Sequence, residues 1–116
     1  MAPGYARAVI FVFEVHVRPP HSAEDYARAW VEASEIIQRA GGARGTRLHR
    51  KIGDPHVLLA IASWESKPAR DAADAARDPR VQAILDAQAE RVEIRVVGEF
   101  EEPAWVVLPE GMDDPA

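Results

Sequence analysis

With 116 residues the chain has room for one domain, since domains run to roughly 100–200 residues. A composition of 47% apolar and 28% charged residues is that of a folded globular protein, not a disordered one. The absence of cysteine excludes disulfides, thiolate metal sites, iron–sulfur clusters and cysteine nucleophiles, and a net charge of −5 without a basic run excludes a surface that tracks nucleic-acid phosphates. Asparagine is absent as well. The longest apolar run near the start, Val9 to Phe13, is far short of the roughly 20 residues of a membrane span, and nothing before it resembles a leader peptide. The expectation is one domain over residues 1–116, cytoplasmic, with no membrane and no nucleic acid as partner. A chain this short buries only about two-thirds of its unfolded surface, so association with another chain is expected.

Residues 1–7 read as a loose terminus. From Ala8 to Arg18 the chain alternates, with Val9, Phe11, Phe13, Val15 and Val17 on one face, and Pro19-Pro20 ends this strand. Ser22 with Asp25 reads as the start of a helix, carried by Tyr26, Trp30, Ala33 and Ile37 at helical spacing, backed by Ala27 and Val31 and closed by Gly41-Gly42. Strands over Arg44–Ile52 and His56–Glu65 follow, joined at Gly53-Asp54-Pro55 by a loop of three or four residues. Ser66 caps a second helix, which Asp78-Pro79 interrupts; Pro79 opens a new one with Val81, Ile84, Leu85 and Gln88 as its stripe. A strand over Val92–Phe100 alternates strictly, with Val92, Ile94, Val96, Gly98 and Phe100 against Glu93, Arg95, Val97 and Glu99. Trp105 to Leu108 reads as a short terminal strand before a mobile acidic tail. The core is thus about 8–101, with 102–116 as terminal strand and tail.

The order β-α-β-β-α-β is the split βαβ, ferredoxin-like arrangement of the α+β class. In it the first strand lies between the third and fourth, and both helices cover one face of the sheet. The apolar set of the first strand faces those helices. On the third strand the matching set is either His56, Leu58, Ala60, Ala62 and Trp64 or the alternate Val57, Leu59, Ile61, Ser63 and Glu65.

Gly45-Thr46-Arg47-Leu48-His49-Arg50, then Asp54-Pro55 and Trp64-Glu65-Ser66, resembles the antibiotic biosynthesis monooxygenase domain in order and spacing. The resemblance spans roughly residues 8–101. It implies a dimeric α/β barrel, in which the sheets of two chains face each other, and a small hydrophobic pocket between sheet and helices. It also implies oxygenation of electron-rich aromatic polyketides without flavin or metal, and it favours the Trp64 set as the helix-facing one. The opposite face then carries Val12, Glu14 and His16 beside Glu93, Arg95 and Glu99, with Leu59 and Ile61 nearby. That face is too apolar to stay wet and too charged for a core, which makes a homodimer through the Glu14, His16 and Arg95 face the expectation.

On this resemblance Trp64 is the pocket tryptophan, flanked by the small Ala60 and Ala62. The substrate, a small hydrophobic aromatic molecule, is expected against Phe13, Tyr26, Trp30, Leu58, Ala60, Ala62 and Arg70. Haem-degrading relatives use an asparagine, this tryptophan and a histidine in the following helix. With no asparagine and no histidine after His56, haem degradation does not fit. Quinone-forming relatives tend to place an asparagine four residues before the tryptophan and a tyrosine six after it, where this chain has Ala60 and Arg70. Among the four histidines, His16 is the candidate base; His21 falls in a loop, His49 faces the barrel side or surface, opposite to Leu48, His56 lies near the turn, and no pair has metal-ligand spacing on a helix. The expected function is a cofactor-free monooxygenase, with no cofactor and no metal. The alternatives are a non-catalytic ligand-binding or accessory dimer and a polyketide cyclase on the same fold.

Overall fold

The computed structural model describes residues 7–112. Four antiparallel strands, β1 (Val9–Val17), β2 (Ala43–Lys51), β3 (Asp54–Trp64) and β4 (Val92–Glu101), form a sheet in the order β2-β3-β1-β4. Three helices, α1 (Ala23–Ile37), α2 (Lys67–Ala75) and α3 (Pro79–Gln88), lie on one face. This is the expected α+β, ferredoxin-like arrangement.

Register settles which residues share a face, because directly opposed residues point the same way. Phe11 stands opposite Ala62, Phe13 opposite Ala60 and Val15 opposite Leu58. The set ending in Trp64 therefore lies under the helices. At one end, Val15, Val17, Leu58 and Val92 pack beneath Ala23 and Tyr26 of α1. Val15 is wholly buried, which stabilises the fold by about 1.5–3 kcal/mol. Toward Phe11 and Trp64 the two layers stay apart.

Each helix starts where its chemistry allows. The Ser22 hydroxyl accepts from the Asp25 amide and the Asp25 carboxylate accepts from the Ser22 amide, closing a reciprocal box around the first turn of α1. Ser66 accepts from the Ala69 amide to start α2, and Asp78 accepts from the Arg80 amide to start α3. Beyond the far end of α3, the Arg18 guanidinium donates to the carbonyls of Glu90 and Val92, tying β1 to the turn that leads into β4.

Four local expectations are corrected. The β2–β3 connection is a two-residue turn, Ile52-Gly53, with Gly53 at φ +88°, so β3 begins at Asp54. Pro55 is tolerated inside this strand because it lies beyond the end of β1, whose last partner on β3 is Val57. The glycine pair does not cap α1, which ends at Ile37 with Gln38 as its cap. Gly42 serves instead at a close approach, since a Cβ there would meet the Ala69 Cβ at 2.6 Å. Residues Trp105–Leu108 form no strand; they run free of the sheet, with Trp105 92% exposed. The outer parts of the expected loose N-terminus and mobile tail, residues 1–6 and 113–116, lie outside the described residues.

The fourth correction changes the chemistry of a face. Phe13 opposes Val96, but Val12 opposes Gly98, leaving Val97 as the extra residue of a β-bulge. Gly98, at φ +150°, takes a backbone geometry that side chains rarely adopt. A slip of one residue reverses every later side chain. Glu99 therefore opposes Phe11 on the helix side, and Phe100 opposes Ile10 on the outer side, the reverse of strict alternation.

Candidate functional site

A cavity of about 580 Å³ occupies the end where sheet and helices diverge. Its floor is Phe11 and Phe13 of β1, Ala62 and Trp64 of β3, Thr46 of β2 and Ile94 of β4. Its roof is Tyr26, Trp30, Ala33 and Ile37 of α1, and its side wall Arg70, Ala73, Val81, Ile84 and Leu85 of α2 and α3. Two features of the sequence open this space. Ala33, Ala62 and Ala73 supply methyls where longer side chains would meet, and α3 packs chiefly on α1 rather than on the sheet. The volume falls within the roughly 300–1,000 Å³ range of small-molecule sites.

Aromatic rings dominate the interior. The Phe11 and Phe13 rings lie 5.5 Å apart, tilted by 42°. Trp64 is buried in the wall, paired across the strands with Val9 and Ala43. Tyr26 is buried in the roof, and that burial pushes its phenol up to about 12, so at neutral pH it is a neutral hydrogen-bond donor. Polar side chains near the floor are already engaged. The Thr46 hydroxyl donates to the Ile61 carbonyl at 3.3 Å, and the Gln38 Oε1 accepts from the Gly45 amide at 2.8 Å.

The charged groups of the lining are four arginines, Arg39, Arg70, Arg77 and Arg80, against two aspartates, Asp74 and Asp78. Both aspartates are committed: Asp74 to Arg77, and Asp78 to Arg80 at 2.8 Å. The Arg80 side chain holds the Asp78 carboxyl down at about 2. Arg70 lies with its guanidinium carbon 4.1 Å over the Phe11 ring, and its Nη1 is 3.5 Å from the Glu99 carboxylate. A cation over an aromatic face is held by the ring quadrupole. No histidine lines the cavity among the described residues, and no group of three or more His, Asp or Glu among them is placed to hold a metal ion.

Of the residues singled out from the sequence, Phe13, Tyr26, Trp30, Ala62, Arg70 and Trp64 meet around this cavity. Ala60 and Leu58 are packed in the core alongside. His16 is on the other side of the sheet, opposite Val57 and Glu93, with its Nε2 2.7 Å from the Glu14 carboxylate. Sequence reading passed over Phe11, Thr46, Ala73 and the Glu99 carboxylate behind Arg70. Phe11 was legible from alternation. The turn of Glu99 was signalled only by a glycine inside a strand, which often marks a bulge.

An antiparallel sheet in the order β2-β3-β1-β4, with helices on one face and an aromatic cavity between the layers, defines a ferredoxin-like α+β domain. The sequence over residues 8–87 matches the family described as antibiotic biosynthesis monooxygenase, and the chain belongs to that family. SnoaB, a cofactor-independent oxygenase from Streptomyces nogalater, has a similar fold, with a TM-score of 0.73 at 21% identity over 90% of this chain and 100% of that one. A SnoaB variant with one asparagine replaced by alanine superposes with a TM-score of 0.74 at 23% identity and the same coverage. PA3566 from Pseudomonas aeruginosa is similar in fold, with a TM-score of 0.71 at 14% identity over 88% of this chain and all of the other. No curated protein matches the sequence. No helix among the described residues is long and apolar enough to cross a membrane.

Proposed function

We propose that the protein is a cofactor-independent monooxygenase of an aromatic polyketide-type small molecule bound in the cavity, and that it acts as a homodimer. The observation that carries this reading is the cavity itself: about 580 Å³, walled by Phe11, Phe13, Trp30 and Trp64, with the Tyr26 phenol in its roof and the Arg70 guanidinium over Phe11. Flat aromatic rings suit such walls, since aromatic side chains stack on them.

In this reading the substrate carries an activated methylene between aromatic rings. Loss of one proton to solvent leaves an enolate, whose oxygen takes a hydrogen bond from the Tyr26 hydroxyl and faces the charge of Arg70. The enolate passes an electron to molecular oxygen, the radical pair joins as a peroxide anion that takes a proton back from solvent to become a hydroperoxide, and loss of water leaves a carbonyl. One oxygen atom ends in the product and the other in water, and all four electrons come from the substrate carbon. The protein's part is to hold the anion, exclude water and admit oxygen. Trp64 positions the rings. His16, one sheet thickness away beside Glu14, serves the dimer interface.

The outer face supports the dimer. Ile10, Val12, Leu59 and Ile61 share it with Glu14, His16 and Arg95, and the bulge adds Phe100, 48% exposed, where strict alternation would have put a charge.

The shortage of a proton acceptor in the cavity favours, as a second reading, a binding protein without turnover. Oxygen consumption with an anthrone substrate separates the two. Uptake clearly above the spontaneous rate, lost on Ala62→Phe, supports the oxygenase. Uptake equal to the spontaneous rate, while the ligand still binds, leaves only the binding reading.

A further inference from the structure

The bulge in β4 places a carboxylate where the sheet would otherwise present Phe100, and four charged side chains meet there. Glu99 Oε1 lies 3.5 Å from Arg70 Nη1 and 3.4 Å from Lys67 Nζ. Lys67 Nζ also lies 3.2 Å from Asp71, whose carboxylate is 3.9 Å from Arg70. The four differ in where they stand. The Arg70 side chain is 22% exposed, lines the cavity and rests on Phe11, whereas Lys67 is 54% exposed and stands outside.

Glu99 is thus shared between a cation in the cavity wall and a cation in solvent. The pair with Arg70 is long for a hydrogen bond, and the guanidinium is planar with donors on several edges. The remaining lining has no free carboxylate to neutralise it, since Asp74 and Asp78 are held by Arg77 and Arg80. In the lining Asp74 and Asp78 offset Arg77 and Arg80, so the positive charge that remains is that of Arg39 and of Arg70, which Glu99 offsets only at long range.

We infer that Arg70 is the anchor for an anionic group on the ligand, a carboxylate or ionised phenol at one end of an aromatic ring system, and that Glu99 is its exchangeable counter-ion, held in reserve by Lys67. When the ligand anion reaches Arg70, Glu99 yields to it and keeps its contact with Lys67, which it shares with Asp71. A neutral ligand cannot replace Glu99 and meets a closed ion pair at the rim. The device selects acidic aromatic ligands over neutral ones of the same shape. It deepens the proposed function, resting on the reading of the cavity as the ligand site.

Binding of an anthraquinone carboxylate and of the matching carboxamide, followed through quenching of tryptophan fluorescence, tests this without turnover. Trp30 and Trp64 both line the cavity. The wild-type protein should bind the carboxylate roughly tenfold more tightly, the scale of one charge-assisted hydrogen bond. Arg70→Met should abolish the preference, bringing carboxylate binding down to that of the carboxamide. Glu99→Gln, which removes the competing anion, should tighten carboxylate binding roughly threefold, the scale of a partly exposed ion pair, with carboxamide binding unmoved. Lys67→Gln should act in the opposite sense to Glu99→Gln, because Glu99 then has only Arg70. A merely structural role for these residues would shift both ligands together. Equal binding of the two ligands overturns the inference but leaves the cavity as the site. Failure of both to bind overturns it together with the proposed function.

Discussion

Phe11 and Glu99 stand opposite each other on the helix-covered face of the sheet, an aromatic ring and a carboxylate brought together across two strands by the extra residue Val97. The Arg70 guanidinium joins them, 4.1 Å over the ring and 3.5 Å from the carboxylate. A single inserted residue thus converts the rim of an apolar cavity into a charged one. The same slip releases Phe100 to the outer face, so one backbone irregularity serves both the ligand site and the proposed interface.

The cavity should be separable from stability. Ala62→Leu places extra methylene groups into open space rather than into a packed core, so its thermal midpoint should stay within a few degrees of the wild type. Binding of an aromatic ligand should fall by tenfold or more. Differential scanning fluorimetry with and without the ligand checks both. A large loss of stability with ligand binding retained would show that Ala62 borders packed core and not a cavity.

Gly42 is required by geometry twice over. Its φ of +88° disfavours any side chain, and a Cβ would strike the Ala69 Cβ at 2.6 Å. Gly42→Ala should therefore cost about 2–4 kcal/mol, the sum of the backbone penalty and of overpacking against α2. Chemical denaturation gives this number directly. Gly41→Ala, at a neighbouring glycine whose Cβ would meet nothing within 4 Å, is the control and should change stability little.

The Tyr26 phenol gives the fold an alkaline limit. Its proton is lost at about 12 in the folded protein against 10.0 for the free group, because burial disfavours the phenolate. The stabilisation is full below pH 10 and falls as pH rises through 10 toward 12, since only the unfolded chain ionises readily in that window. Urea midpoints measured across that range should fall for the wild type and fall less for Tyr26→Phe. Identical pH profiles would mean that the phenol is open to solvent.

Asp78 sets the acid side. The Arg80 side chain, with the amide of Arg80 at the start of α3, draws the carboxyl from 3.8 to about 2. A lowered value contributes stability above pH 3.8 that is lost as pH falls toward 2. Asp78→Asn keeps a capping oxygen but carries no charge, so its stability should be flatter with pH across that window. Thermal melts at several acid pH values make the comparison.

The proposed dimer makes its own demand. Light scattering should return twice the mass of the chain, and Leu59→Glu on the outer face should return a monomer. The substituted carboxylate would meet the partner sheet without a counter-ion, and an unpaired buried charge is strongly disfavoured. A wild-type monomer across micromolar concentrations would remove the interface role assigned to His16 and Phe100.

The periodic parts of the chain were legible because each repeats one local rule. Alternation along Val9–Val17 and helical spacing of Tyr26, Trp30 and Ala33 each reported a buried face, and Ser22, Ser66 and Asp78-Pro79 marked helix starts through side-chain chemistry the backbone needs. Trp64, with the motif around it, marked the family and one wall of the cavity. The errors fell where periodicity has no say. Trp105–Leu108 has strand-forming residues yet forms no ladder within the chain, and strand propensity alone cannot supply a partner. Gly42 read as a helix stop when its reason is a helix crossing more than twenty residues later in the chain.

The amino-acid sequence determined the order of strands and helices, the face of β1 that is buried and the family, since these follow from side-chain period, capping and a local motif. The tertiary structure decided that Ala33, Ala62 and Ala73 border open space rather than packed core, because an alanine leaves a gap only where nothing else comes to fill it. It also decided the sign of charge at the rim. Glu99 lies in an alternating stretch that assigns it to the outer face, and only pairing with β1 fixes the slip at Val97 that turns it inward toward Arg70.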